Sequence, residues 1–333
     1  MTSWAFPLLG AALVYGLVAP LLTLAALPWL RWRRARHGMV VEGDGLGYAA
    51  LLAPVLLPLG WSVSAAVHLS EPGGPLASCR LDGAGPCMDE AWFGVAVAAP
   101  LFLAFVAVAA GRRDGRRRWA PDLLCRLASL RRHHPELRRL AMRLVDGDAP
   151  PVALRGVLVP EVALREDFAR RLDDRALAAA LLHEAEHARG RDVLRLALLE
   201  ATLRVNPLGW LLRPEARRWE AARELRCDAE AVRRGGSPLG LAHAIVQAAR
   251  QTVTDVAVAL TGGGASLVRL RVELLMEASE GRPGLDVAER PAAGAAVGGS
   301  LLLAAAWPHV LGTGWLDGFH TWVEGLLQLT GNG

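Results

Sequence analysis

Residues 183–187 read His-Glu-Ala-Glu-His. A helix places residues four apart on one face, so His183 and His187 can grip one metal ion from successive turns. Glu184 stands beside them, placed to take a proton from a water held by that ion. This is the HExxH spacing of zinc peptidases, in which two imidazoles bind and the carboxylate acts as base. The plainer alternative is a solvated helix face carrying two histidines and two acids. A catalytic zinc needs a third protein ligand and an open position for water. One solution adds a third His six residues after the second. Gly190 is in place for it, but position 193 is Val193, so that solution fails. The other takes a Glu from a later helix. Glu224 is the best candidate, because Asp228 follows one turn later on the same face. Asp228 can accept a hydrogen bond from the non-ligating nitrogen of a histidine, fixing its tautomer and raising its basicity. Glu200, Glu215 and Glu220 are rivals without such a partner.

These residues need elements to hold them. The run Arg175–Leu182 is rich in Ala and Leu and reads as helix, capped by Asp173 or Asp174 and stopped at Gly190. Residues 215–234 form a charged helix, with Pro214 in its first turn and Gly235-Gly236 as its stop. Residues 121–145 look helical and dense in Arg, and Asp146 to Pro151 is a turn. Val152–Val159 reads as one or two short strands around Gly156, closed by Pro160. The edge of such a strand can hold an extended peptide through backbone pairing; a plain packed hairpin is the alternative. Helices are expected over 237–260 and 265–279, with Gly262–Gly264 as a joint.

The chain has 333 residues, 53% hydrophobic and 21% charged, with net charge +4. Its mean hydropathy of +0.27 is too apolar for an ordinary soluble enzyme, yet the charge content excludes a wholly membrane-embedded chain. All 37 basic residues are Arg, and many flank apolar runs. Membrane topology explains them better than nucleic-acid binding, and no direct nucleic-acid contact is expected. Apolar runs cover 4–30, 47–69 and 92–110, and a last one about 292–313. Arg31, Arg33, Arg34 and Arg36 follow the first, and Arg112, Arg113, Arg116, Arg117 and Arg118 follow the third. These mark the cytoplasmic side. The expectation is a mainly α membrane protein with about four transmembrane helices and a cytoplasmic α+β domain. The three-span region is 1–111, the polar domain 112–290, and the last span with a short outer tail 291–333. The segment 193–212 carries Arg195, Glu200 and Arg204, and charges at mid-membrane are costly. It reads as amphipathic, lying at or dipping into the cytoplasmic surface; an ordinary buried helix is the alternative. Four Cys without a CxxC argue against a Cys-based zinc module. Cys79 and Cys87 fall in the outer loop, where they form a small disulfide loop or remain two free thiols.

Three stretches carry a resemblance. His-Glu-Ala-Glu-His-Ala-Arg-Gly-Arg-Asp (183–192), Val-Asn-Pro-Leu-Gly-Trp (205–210) and Arg-Glu-Leu-Arg-Cys-Asp (223–228) together resemble the BlaR/MecR-type membrane metallopeptidases. Pro151 to Val162 is similar to the strand those proteins place before the HExxH helix. The resemblance implies a gluzincin-like zinc peptidase domain facing the cytoplasm, with His183, His187 and Glu224 as Zn2+ ligands and Glu184 as base. It implies a protein substrate, a transcriptional repressor of the BlaI/MecI kind. Two departures stand out. Glu186 occupies a position that is usually apolar. Some twenty residues follow the last apolar run, where relatives that sense antibiotics carry a large sensor domain. Direct β-lactam sensing by such a domain is therefore not expected. An HtpX-like quality-control protease, with HExxH and a later Glu-x-x-x-Asp, is the runner-up. A catalytically inactive membrane signalling scaffold is the third reading. For the oxyanion donor, His133, His134, His243 and an arginine stay open.

Overall fold

The three N-terminal apolar runs fold as helices in a computed structural model, which describes residues 11–37, 45–69, 90–110, 116–117, 120–145, 150–253 and 264–282. The first helix contains a π-helical turn at Val14–Val18 and continues as α1 (Ala19–His37). Then come α2 (Gly45–Leu69) and α3 (Glu90–Ala109). The stretch Ala11–Arg36 is long and apolar enough to cross a membrane, while Gly45–Gly60 and Val95–Ala109 are shorter apolar stretches. Leu21, Leu24, Phe102 and Leu103 point outward and are more than half exposed. These side chains give the helices an apolar outer surface. The expected disulfide pair Cys79 and Cys87, and the expected last span, lie outside the described residues.

The polar part begins with the two-residue strand β1 (Arg116–Arg117) and α4 (Pro121–His133). The helix expected over 121–145 ends here. Pro135 follows, opening a 3-10 turn at Pro135–Arg139, and Ala141–Val145 is a strand, β2. Next come β3 (Val152–Arg155) and β4 (Glu161–Arg165). The sheet order is β1-β2-β4-β3, with β4 parallel to β2 and antiparallel to β3. Pro160 thus precedes a strand rather than closing one. Residues 156–160 connect the two strands, and Gly156 has φ +85. A Cβ there would collide with the Val159 carbonyl oxygen, so the tight hairpin requires glycine.

After the short helix α5 (Glu166–Arg171) comes α6 (Asp174–Arg189), which carries the HExxH run. Asp173 is the cap: its carboxylate accepts from Ala176 N at 2.7 Å. Every residue from Ala176 to Glu186 is buried, so α6 is a core helix and not a solvated face. Its alanines let neighbouring helices approach closely. These are α8 (Gly209–Arg233), which lies across it, and α9 (Pro238–Val253), which itself packs on α10 (Gly264–Ser279). The helix holding Pro214 begins at Gly209, so this proline is its sixth residue rather than part of its first turn.

Between α6 and α8 runs α7 (Asp192–Val205). It packs on α3 and α2. Ala201 shares a cluster with Ala19, Val55 and Leu101. Leu199 and Leu203 join Leu27, Leu30, Leu52 and the α8 residues Leu212 and Trp219. The α7–α8 hairpin is therefore wedged into the apolar bundle. At its tip, Asn206 Nδ2 donates to Thr23 Oγ1 at 2.7 Å, and Asn206 Oδ1 accepts from Leu208 N at 3.0 Å. A polar turn buried in apolar surroundings thus has its hydrogen bonds met.

Candidate metal centre

His183 and His187 lie one turn apart on α6, and Glu224 and Asp228 lie one turn apart on α8. The two helices pack, so the two pairs face each other. The Nε2 atoms of His183 and His187 are 3.0 Å apart. Glu224 Oε1 is 3.3 Å from His187 Nε2, and its Oε2 is 3.5 Å from His183 Nε2. Bonds of about 2.0–2.2 Å in a tetrahedral zinc site set neighbouring ligand atoms about 3.3 Å apart. The three donors therefore have the spacing that one such ion requires, and their types, two imidazoles and a carboxylate, suit zinc.

The other imidazole nitrogens are engaged. His183 Nδ1 sits 2.9 Å from Asp228 Oδ1, although its N–H is not aimed squarely at that oxygen. Asp228 is fully buried and receives Arg271 Nε and Nη2, each at 2.7 Å. His187 Nδ1 lies 2.8 Å from Asp192 Oδ2, and Arg223 Nε reaches both oxygens of Asp192 at 2.8 and 2.9 Å. Each histidine thus has a carboxylate at Nδ1 and an arginine behind that carboxylate. This turns Nε2 toward the shared point, the arrangement that orients metal-binding imidazoles. Cys227 Sγ also approaches His187 Nδ1, at 3.5 Å. His187, Asp192 and Cys227 form a second group of metal-type donors, but that group depends on the nitrogen already facing Asp192.

The charges fit together. Burial alone would depress the His183 imidazole, but Asp228 and Glu224 outweigh it and hold its pKa up to about 9. Burial would raise Glu224, yet contacts with both histidines and Arg271 hold it well below the usual carboxylate range. Asp192 and Asp228 are likewise held low despite burial, Asp192 chiefly by His187 and Arg223, Asp228 chiefly by Arg271 and His183.

Sequence reasoning named His183, His187, Glu224 and Asp228, and the structure brings all four together. Glu184 is buried beside them and lines the same cleft. The rival acids sit elsewhere: Glu200 pairs with Arg204 and Arg213, and Glu215 with Arg34 and Arg218. Glu186 is buried next to Arg189 and Arg234, with its pKa raised by burial and Glu230 against the pull of Arg189. Two further residues complete the site, Asp192 and Arg271, for which the sequence pattern gives no role. Asp192 arrives through a tight link. Gly190 leaves no room for a side chain beside Arg223, and Arg191 takes a left-handed φ of +51. Arg271 belongs to the stripe Val268, Val272, Leu275 that α10 packs on the core. A charge on that stripe was the available signal.

The cleft over the donors has a volume of about 400 Å³. Val152, Ala153 and Leu154 of β3 form one wall, and Leu241, Ala244, Ile245, Ala248 and Val268 line the cleft from α9 and α10. None of the three histidines considered as oxyanion donors lines it, whereas one arginine, Arg271, does. His243 is exposed beside Gln247, and His133 is exposed and bonded to Ser129 O. In comparisons with known proteins, the chain matches no family model, no curated protein and no solved structure.

Proposed function

We propose that the protein is a membrane-bound zinc endopeptidase whose peptidase domain faces the cytoplasm. The observation that carries this reading is the convergence of His183 Nε2, His187 Nε2 and Glu224 within 3.5 Å of one another, with Glu184 beside them in an apolar cleft. His183, His187 and Glu224 would hold the ion. A zinc ion bound there supplies Lewis acidity, lowering the pKa of a water and polarising a peptide carbonyl. Glu184 accepts the water's proton and delivers it to the leaving amine. Asp228 and Asp192 keep the two imidazoles in the tautomer that presents Nε2. β3 closes one end of the sheet order, and its residues wall the cleft, so it can align an extended backbone by strand pairing. The apolar walls exclude bulk water from the reacting bond.

Four membrane spans, with both termini outside and 112–290 inside, follow from the arginine asymmetry. The resemblance to BlaR/MecR-type enzymes supports regulatory cleavage of a cytoplasmic protein, a BlaI/MecI-like repressor. Quality-control proteolysis of membrane proteins is the competing enzyme reading.

The test is zinc content and proteolysis in Glu184→Gln, His187→Ala and Glu224→Ala. Glu184→Gln should keep one zinc per chain and lose activity, because it removes a base and no ligand. The other two should lose metal. Full zinc occupancy in Glu224→Ala would sink the ligand assignment, and a metal-free wild type would favour the inactive scaffold. Comparing protein turnover in cells carrying wild-type and Glu184→Ala enzyme separates the two proteolytic readings. One stabilised regulator supports the first, and broad stabilisation of misfolded membrane proteins supports the second.

A further inference from the structure

The cleft over the donors continues past them. Leu154, Val193 and Leu196 line it and also line a second hollow of about 710 Å³. The far wall of that hollow is Val108, Ala109 and Ala110, where α3 ends. Those three shared residues put the two hollows side by side, on a line from the donors to the terminus of an apolar helix. That line follows α7 from Glu200 to Asp192. Eight helical residues rise about 12 Å, a distance an extended chain covers in about four residues.

The β3–β4 turn borders the same line. Arg155, Gly156 and Val157 line the outer hollow. The next two side chains, Leu158 and Val159, are 85% and 77% exposed, more than any other large hydrophobic residue described. Gly156 permits the tight turn and Pro160 restricts the backbone at its end, so these side chains stand at the tip of a short hairpin. Exposed apolar side chains scattered singly are ordinary. A pair on a hairpin tip beside the end of an apolar helix is different: where that helix enters a bilayer, an apolar medium lies at the same level. The five arginines of 112–118 follow that helix end in sequence, which suits the anionic face of a bilayer.

We infer that the site is fed from the bilayer: it takes the segment that leaves the cytoplasmic face of a membrane-anchored protein, past a hairpin tip seated in that face. This rests on the peptidase reading and on the membrane placement of α3, and it favours a membrane-anchored substrate over a soluble repressor. The length of that line sets the reach. A bond about four residues out from the membrane lies over the donors.

The first test does not depend on catalysis. A nitroxide is attached at Leu158→Cys in the full chain, with Cys79, Cys87 and Cys125 changed to Ser, and the protein is reconstituted in phosphatidylcholine–phosphatidylglycerol vesicles. Relaxation by oxygen should exceed relaxation by a water-soluble nickel chelate; the reverse ratio overturns the inference. The second test compares β-casein with β-casein fused behind a transmembrane helix in the same vesicles. The tethered form should be cut roughly 10²-fold faster, because tethering raises its local concentration. Its cuts should cluster in the first residues beyond the helix. The double variant Leu158→Asp, Val159→Asp should cut both forms at one rate. Equal rates with active wild-type enzyme overturn the bilayer-fed site and leave the peptidase standing. No cleavage of either form, with wild type matching Glu184→Gln, overturns both.

Discussion

Asp228 and Asp192 each face one imidazole at Nδ1 and are each gripped by an arginine. Asp228→Asn keeps the shape but removes the charge that holds His183 and balances Arg271. Zinc affinity should fall by about 10–100-fold, read by competition with a fluorescent chelator. An unchanged affinity would remove Asp228 from the supporting role. A second expectation concerns protons. With the two Nε2 atoms 3.0 Å apart, the metal-free pair has room for one proton between them. Both imidazoles are held above the ordinary value against the pull of burial, His183 by Asp228 and Glu224 and His187 chiefly by Asp192, so this proton is present at neutral pH. Glu224, held low, has none to lose. Zinc should therefore release about one proton per site at pH 7, and its apparent affinity should rise with pH up to about 9. Calorimetry in two buffers of different ionisation enthalpy measures that number; zero release would contradict the charge state. Much of this centre is legible in sequence, because i, i+4 spacing on a helix fixes which residues share a face. Asp192 is not, since its position depends on the left-handed turn at Arg191. Arg271 reaches Asp228 from 43 residues away, through packing of α10 that no local pattern encodes.

At the scale of elements, spacing misleads where two periods coincide. Leu123, Leu127 and Leu130 mark the buried face of α4, and Leu137, Leu140 and Leu144 continue at nearly helical intervals. Pro135 interrupts the helix, and Ala141–Val145 pairs with β1 and β4 instead, so sheet formation overrides the pattern. The α7–α8 hairpin shows the reverse case. Its apolar content was plain, but its partners, the first three helices, come from the other end of the chain. Trp219 is central to that docking: it is buried and stacks on Tyr48 with ring centroids 4.8 Å apart. Trp219→Ala should destabilise the protein by about 3–5 kcal/mol, seen as a lower thermal midpoint in detergent. Because α8 also carries Glu224, zinc affinity should weaken with it. Trp219→Phe should cost less, since the indole Nε1 is buried without a hydrogen-bond partner and Phe removes that donor. Equal losses in the two variants would show that the ring contact is not what holds α8.

For the whole molecule, the site and the bundle constrain each other. His187 lies before α7 and Glu224 after it, yet their atoms are 3.3 Å apart. Both therefore occupy one side of any membrane, and α7 cannot be a complete crossing. The chain meets this by turning back at Asn206–Leu208, with Asn206 bonded to Thr23 within the first helix. Arg34, near the end of that helix, pairs with Glu215 of α8, so the polar domain is fastened at the level where the arginine cluster begins. On the proposed topology this level is the cytoplasmic face. The prediction uses Arg233, whose side chain is 51% exposed at the far end of α8. In a chain whose native cysteines are Ser, Arg233→Cys should resist a membrane-impermeant maleimide in intact cells and react once the cells are permeabilised. Labelling in intact cells would put the metal centre outside and reverse the topology, and with it the cytoplasmic substrate.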